Sequence, residues 1–202
     1  EEPIPVYRKY LNTLKEFNDS VNTEFTKSNL KISKTNFIQG NYAVISPSSK
    51  HFTKRYPKES YVELLKNVNI VIAFTGDNNE TDKEICSYLE SKIKSSLNLC
   101  GKLSFSELSG LISESKFVLC NDSGVLHLAE ALGKKTYVTF GSTVKEFGFY
   151  PRLDTTEVFE VLGLKCRPCS HIGRSKCPKG HFKCMKLIGA DLINERIMRF
   201  VK

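Results

Sequence analysis

The sequence predicts an α/β fold: a parallel sheet with helices on both faces, followed by a Cys-rich C-terminal segment. Three observations carry this. Short apolar runs alternate with helix-patterned stretches, the signature of repeated β-α units. One run, Asn69–Thr75 (NIVIAFT), is continuously apolar, as expected of a strand covered on both faces. Four of the seven cysteines then crowd into Lys165–Lys186, which also holds seven basic side chains and no acid.

The elements follow in order. Val6, Tyr7, Tyr10, Leu11, Leu14 and Phe17 share one face of a helix over residues 6–17. Polar residues from Asn18 to about Asn36 read as a connection, so residues 1–40 are assigned as a linking segment. Tyr42–Ser46 is a short strand ended by Pro47-Ser48-Ser49. Pro57 suits the first turn of a helix containing Tyr61, Leu64 and Leu65. After Asn69–Thr75, Gly76-Asp77-Asn78-Asn79 breaks the chain, and Ile85, Leu89, Ile93 and Leu97 fall in helical register. Ser104 and Glu107 form a capping box that starts another helix. Lys116–Cys120 is a strand, and Asn121-Asp122-Ser123 caps a helix with Val125, Leu128, Ala129 and Leu132 as its buried stripe. Gly133 stops that helix, and Thr136–Phe140 is the next strand. This body spans residues 41–164. Residues 165–189 are the Cys-rich basic segment, and residues 190–202 form a terminal amphipathic helix with Leu192, Ile193, Ile197 and Phe200.

Composition bounds the answer. The chain has 202 residues, 40% hydrophobic and 26% charged, which excludes disordered and collagen-like classes. No apolar run approaches the roughly 20 residues a membrane span needs. Glu1-Glu2-Pro3 offers neither an initiator Met nor the regions of a signal peptide, so the chain is expected to be processed or cut from something longer. Of the formal +8, residues 151–202 hold 11 basic and 5 acidic residues, so most of the excess lies in the tail.

In open parallel sheets, ligands bind outside the carboxyl ends of the strands. Here those ends are Ser46–Tyr56, Gly76–Glu80, Asn121–Gly124 and Gly141–Gly148, which should converge on one cleft. Gly124 leaves the first turn of its helix open to close approach, and the free N–H groups and dipole there favour an anion such as phosphate. His127 lies about 200° around that helix from Val125, away from the apolar stripe. Read alone, Asp122 or Ser123 is equally a helix cap and His127 a surface residue. Lys54-Arg55 before a helix suits a diphosphate or is a solvated charge pair. Glu80 either accepts hydrogen bonds from sugar hydroxyls or complements the dipole of its own helix, and Asp77 is similarly ambiguous.

Together these segments resemble the carboxyl half of the bacterial ADP-heptose:lipopolysaccharide heptosyltransferases. NDSGVLHLAEALGKKTYVTFGST (Asn121–Thr143), KRYP (Lys54–Pro57), FTGDNNE (Phe74–Glu80) and the Cys-rich Cys166–Met185 match the family's motifs in order. The resemblance implies one Rossmann-like half of a GT-B type glycosyltransferase. That half binds a nucleotide-sugar donor, with ADP-heptose expected and another ADP- or UDP-sugar as the alternative. It implies that Asp122, Ser123, Gly124 and His127 meet the donor, and that Lys54 neutralises diphosphate charge as the sugar leaves. Glu80 would hold the ribose, and Ser48 and Ser49 would reach the phosphates. The family inverts the anomeric centre and needs no metal for the transfer. This sequence has Ser48-Ser49 where the family often has Gly-Ala, and Ser142 where it often has Pro. The family's catalytic base lies in an amino-terminal domain that also binds the lipid-linked saccharide acceptor. Residues 1–40 are too few to form that domain, so this chain is expected to be a donor-binding half with little or no transfer alone. The resemblance also implies a cytoplasmic address, peripheral to the inner membrane.

Cys166, Cys169, Cys177 and Cys184 have the spacing C-x2-C-x7-C-x6-C. Four thiolates in a basic segment can hold a structural zinc, with His171 and His181 as spare ligands. Two disulfides, free thiols and an iron–sulfur cluster use the same residues. Cys86, Cys100 and Cys120 read as small core residues. The tail's charge suits either an anionic membrane surface or plain solvation. It also suits nucleic-acid phosphates. With Phe182 as the one aromatic of Lys165–Lys186 and no recognition-helix pattern, a nucleic-acid partner is not expected.

Overall fold

The computed structural model describes residues 3–15, 17, 20, 30, 32 and 34–202. Most of the expected connection between Asn18 and Asn36 lies outside them. Six strands, β1 (Tyr42–Ser46), β2 (Val71–Phe74), β3 (Ser96–Asn98), β4 (Val118–Asn121), β5 (Thr136–Phe140) and β6 (Thr156–Glu160), form one sheet. Its order is β3-β2-β1-β4-β5-β6, with every neighbouring pair parallel. Successive strands step outward from β1 on one side and from β4 on the other, so the order reverses between these two.

The continuous apolar character of the central strands follows from cover on both faces. Ala43, Ile45, Ile72 and Phe74 join one core cluster, and Tyr42, Val44, Ala73 and Val118 join the other. The first face is covered by α2 (Lys58–Leu65), α3 (Glu80–Lys92), α6 (Lys183–Lys186) and α7 (Ala190–Val201). The second is covered by α4 (Phe105–Glu114) and α5 (Gly124–Ala131). The Ser104 capping box forms as expected, with hydroxyl-to-backbone and carboxylate-to-backbone bonds both present. Gly133 takes a φ of +63° just past α5, a conformation favourable only to a residue without a Cβ.

Two strands depart from the expectation. Leu97, placed by periodicity on the helix of Ile85 and Leu89, belongs instead to β3, because α3 ends at Lys92 and Ile93 turns extended. β6 (TEVFE) was equally absent from the expected set. Both are edge strands with one neighbour each, so they need no continuous apolar run and leave little hydrophobic signal.

The helix at the amino end, α1 (Val6–Lys15), forms but has no fully buried residue. Tyr10 and Leu14 on its apolar stripe are exposed, and its start is tied to the body by Val6 N–H donating to the carbonyl of Gly148. The Cys-rich segment packs into the main body: Phe182, Cys184, Met185 and Ile188 belong to the first core cluster. Gly141 makes room for it, since a Cβ there would lie 2.8 Å from both Met185 Cε and the carbonyl oxygen of Thr53. In α7, Ile193 and Ile197 are buried on the α2 side of the sheet, while Leu192 and Phe200 remain half exposed. Among the described residues no helix is long and apolar enough to cross a membrane.

Candidate functional site

At the reversal of strand order the loops after β1 and β4 diverge and leave a crevice. It holds a cleft of about 770 Å³, lined by Ser48, Ser49 and Lys54 after β1, Asp77 and Asp82 after β2, and Asp122, Ser123 and Gly124 after β4.

Asn121, the buried last residue of β4, fixes these loops to one another. Its Oδ1 accepts from the Tyr56 backbone N–H at 2.9 Å and from the Thr139 hydroxyl at 2.8 Å. Its Nδ2 donates to the carbonyls of Pro47 and Ser48 at 3.0 and 3.2 Å. One amide thus clamps both ends of the Pro47–Tyr56 loop onto the sheet, and an unmade bond there would strand buried polar groups.

The clamp sets Lys54 against Asp122. The ammonium lies 2.6 Å from Asp122 Oδ2, with side-chain exposures of 16% and 4%. The same oxygen accepts from the Thr143 hydroxyl at 2.6 Å, which recruits the loop after β5. Arg55 behaves differently from its neighbour: Nε donates to the Ser49 carbonyl and a terminal nitrogen to the Lys50 carbonyl, so its guanidinium shapes the loop itself. His51 also lines the cleft. Its imidazole is held below its ordinary 6.5, first by desolvation and then by Lys54, Lys50 and Arg55.

Ser123 is the N-cap residue of α5 but makes no capping bond, and its buried hydroxyl has no partner. The Thr75 hydroxyl, also in the cleft lining, is in the same condition. A Cβ built on Gly124 would meet nothing within 4 Å, so this glycine faces open space at the helix start. The helix-cap reading of Asp122 and Ser123 therefore fails in its simple form: Asp122 is engaged by Lys54 and Thr143, and Ser123 caps nothing. Such an uncapped helix N-terminus beside a lysine is suited to an anion.

A second cavity of about 210 Å³ adjoins the first. Lys54, Asp122, Ser123, Gly124 and Ile172 line both. His127 faces this smaller space, 6.1 Å from Phe149 ring to ring. Its pKa is lowered from 6.5, first by desolvation.

The structure thus brings Ser48, Ser49, Lys54, Asp122, Ser123, Gly124 and His127 around one connected space. Glu80 is the exception. It begins α3 with its side chain 97% exposed, near Lys83 and outside the cleft lining. Asp82 stands inward instead, accepting from the Ser48 hydroxyl at 2.6 Å and from the Asp77 backbone N–H at 2.9 Å. Sequence reading missed Asp82, Thr143 and Ile172. Asp82 had a signal two residues past Glu80, whereas Ile172 comes from a segment remote in sequence.

Cys166, Cys169, Cys177 and Cys184 all line one pocket of about 20 Å³, together with His181 and Ser142. All seven cysteines are free thiols. Burial and the three neighbouring sulfurs push the Cys184 thiol up to about 11. The Cys166 sulfur is 3.8 Å from His181 Nε2. Among the described residues, no group of three or more His, Cys, Asp or Glu stands in an arrangement that could hold a metal ion. The donor set itself, four sulfurs around one small space beside Arg167, is of the kind that suits zinc or iron.

Comparison with known proteins gives the family. A family model described as Glycosyltransferase family 9 (heptosyltransferase) matches residues 7–179. Lipooligosaccharide heptosyltransferase 2 of Campylobacter jejuni serotype O:2 is 26% identical over 159 residues, covering 77% of this chain and 48% of that protein. The solved structure of Escherichia coli ADP-heptose lps heptosyltransferase II superposes with a TM-score of 0.65 at 18% identity, covering 96% of this chain and 50% of that one. The dodecameric iron-containing heptosyltransferase TibC, solved in complex with ADP-D-beta-D-heptose, gives a TM-score of 0.66 at 18% identity over 89% of this chain and 50% of that one. This chain therefore spans about half the length of the relatives it matches.

Proposed function

Because this chain belongs to glycosyltransferase family 9, the heptosyltransferases, we propose that it is the donor-binding half of an inverting glycosyltransferase that uses ADP-heptose in building the lipopolysaccharide core. The carrying observation is the group formed by Lys54, the unpartnered Ser123 hydroxyl and the open helix start at Gly124, at the point where strand order reverses.

A nucleoside diphosphate would lay its phosphates on the first turn of α5. There the backbone N–H groups, the Ser123 hydroxyl and the Lys54 ammonium supply donors and positive charge without a metal. Asp122 and Thr143 hold Lys54 in place. As the sugar leaves, negative charge grows on the diphosphate, and these donors stabilise it. Leu103, Phe105 and Leu108 give the larger cleft an apolar wall for a base. TibC binds ADP-heptose, which favours this donor over UDP-sugars. The saccharide acceptor and the catalytic base would come from an amino-terminal domain outside these 202 residues. The basic tail would favour the anionic membrane face where a lipid-linked acceptor lies.

Titration calorimetry with ADP, UDP and a short oligonucleotide tests the reading. ADP binding that weakens in Lys54→Met supports it. Oligonucleotide binding without nucleotide binding overturns it. Measurable transfer by this chain with no added protein would sink the half-enzyme claim.

We also propose that Cys166, Cys169, Cys177 and Cys184 hold a structural metal, zinc by preference. Such a cation would offset the cost of ionising thiols as buried as Cys184.

A further inference from the structure

We propose that Arg167, from the Cys-rich segment, is a positioning residue for the diphosphate lysine: it holds Thr143, Thr143 orients Asp122, and Asp122 sets Lys54. This rests on the donor-binding reading above. It gives the segment a part in nucleotide binding that is separate from its cysteines.

Arg167 is built into the edge of the sheet. Its side chain is 6% exposed and pairs with Glu160 at the end of β6. Nε and one terminal nitrogen donate to the Thr143 carbonyl at 3.1 and 2.7 Å. The other terminal nitrogen donates to the Val161 carbonyl at 3.1 Å. Glu160 is fixed in turn, since its second oxygen accepts from the Tyr150 hydroxyl at 2.8 Å. One planar fork thus ties β6 to the loop after β5, a geometry that a lysine ammonium cannot copy.

That loop reaches the diphosphate group through one hydroxyl. Thr143 donates to Asp122 Oδ2, the oxygen that also holds the Lys54 ammonium. The carboxylate is 4% exposed, so its direction is set by these partners and not by water. An ammonium has three N–H donors. With one spent on Asp122, two are left for phosphate oxygens. A buried carboxylate that lost Thr143 would lean on the ammonium for the missing bond and draw it away from the phosphates.

The same stretch of chain fixes Lys54 from the other side. The Thr53 backbone N–H donates to the Arg174 carbonyl, and the Arg174 N–H returns a bond to the Thr53 hydroxyl at 2.8 Å. The Cys169 N–H donates to the Ser142 carbonyl at 3.3 Å. A Cβ on Gly173 would lie 2.5 Å from His51 Cβ, so the segment passes directly over the β1 loop. Between these attachments, His171 and Ile172 line the second cavity. Residues 167–174 therefore grip both the residue before Lys54 and the residue that orients Asp122.

Calorimetry with ADP on the whole chain tests the role. Arg167→Lys keeps a charge opposite Glu160 but loses the fork, and should weaken ADP by roughly fivefold. Thr143→Val deletes the link itself and should do the same. A merely structural role would not depend on Lys54, and here it should: in a Lys54→Met background, Arg167→Lys should change ADP affinity by less than about twofold. Thermal melting reports that each variant is folded. If Arg167→Lys does not accumulate, Glu160→Gln keeps an acceptor for the guanidinium and takes its place, with the same expected dependence on Lys54. A loss of equal size with and without Lys54, or no loss in the folded single variants, overturns the positioning role while wild-type ADP binding stands. A wild-type chain that binds no ADP overturns the donor-binding reading and this one with it.

Discussion

Lys54 Nζ stands 2.6 Å from Asp122 Oδ2, and the Thr143 hydroxyl donates to the same oxygen at the same distance. Three loops that follow three different strands therefore meet at one carboxylate atom. Lys54→Met should leave that carboxylate buried and lacking its cation, costing about 3 kcal/mol of stability. Urea denaturation measures it, and adding Asp122→Leu should recover part of the loss in a double-mutant cycle.

Gly124 separates binding from folding. Gly124→Ala places a methyl group in open space, so stability should hold or rise by about 0.5–1 kcal/mol through the unfolded chain. ADP affinity should nevertheless fall by roughly tenfold, because that methyl group occupies the phosphate approach. Thermal melting and calorimetry on one sample read both effects.

Asn121 is buried and makes bonds to four other residues at 3.2 Å or less. Asn121→Ala would leave the Tyr56 N–H and two carbonyls without partners, at about 1–3 kcal/mol for each group that water cannot reach. The expected result is a chain that melts early or fails to accumulate, read by circular dichroism.

His51 and His127 both have pKa values lowered from 6.5 in the folded chain, each first by desolvation. Below 6.5 the unfolded chain takes up protons that the folded chain resists, so their contribution to stability is full above 6.5 and is lost as pH falls from there through the lowered folded values. Melting temperature should drop between pH 7.5 and 5, and His127→Asn should flatten the slope. An unchanged slope would assign the drop to other groups.

Metal analysis of protein purified without chelator should find about one metal per chain. Chelation or Cys184→Ser should lower the melting temperature, because Cys184 and Met185 belong to the main core. A metal-free chain with an unchanged melt after chelation would reject the site.

The central strands were legible because their signals are local, whereas the cleft residues took their roles from the family resemblance, since read alone each left a helix cap or a solvated charge open. Ala43–Ile45 and Ile72–Phe74 are apolar in sequence because helices cover both faces, and Asn121–Gly124 pairs a strand end with a helix start. β3 and β6 were not legible, since an edge strand needs only one neighbour and can be half polar. The resemblance implies Glu80 as the ribose ligand, yet about half a turn of α3 decides which carboxylate faces inward, and it is Asp82.

What the sequence determined by itself was the alternation of strands and helices, the strand-to-helix junction at Asn121–Gly124 and the four-cysteine grouping, since each depends on residues close along the chain. Tertiary structure decided the rest. Ser123 proved uncapped, Asp122 proved bonded to Lys54 and Thr143, and the tail proved to wall the second cavity through Thr53–Arg174 and Thr143–Arg167. These pairings join residues from 21 to 121 positions apart in sequence, and only the packing of the sheet brings them within hydrogen-bond distance.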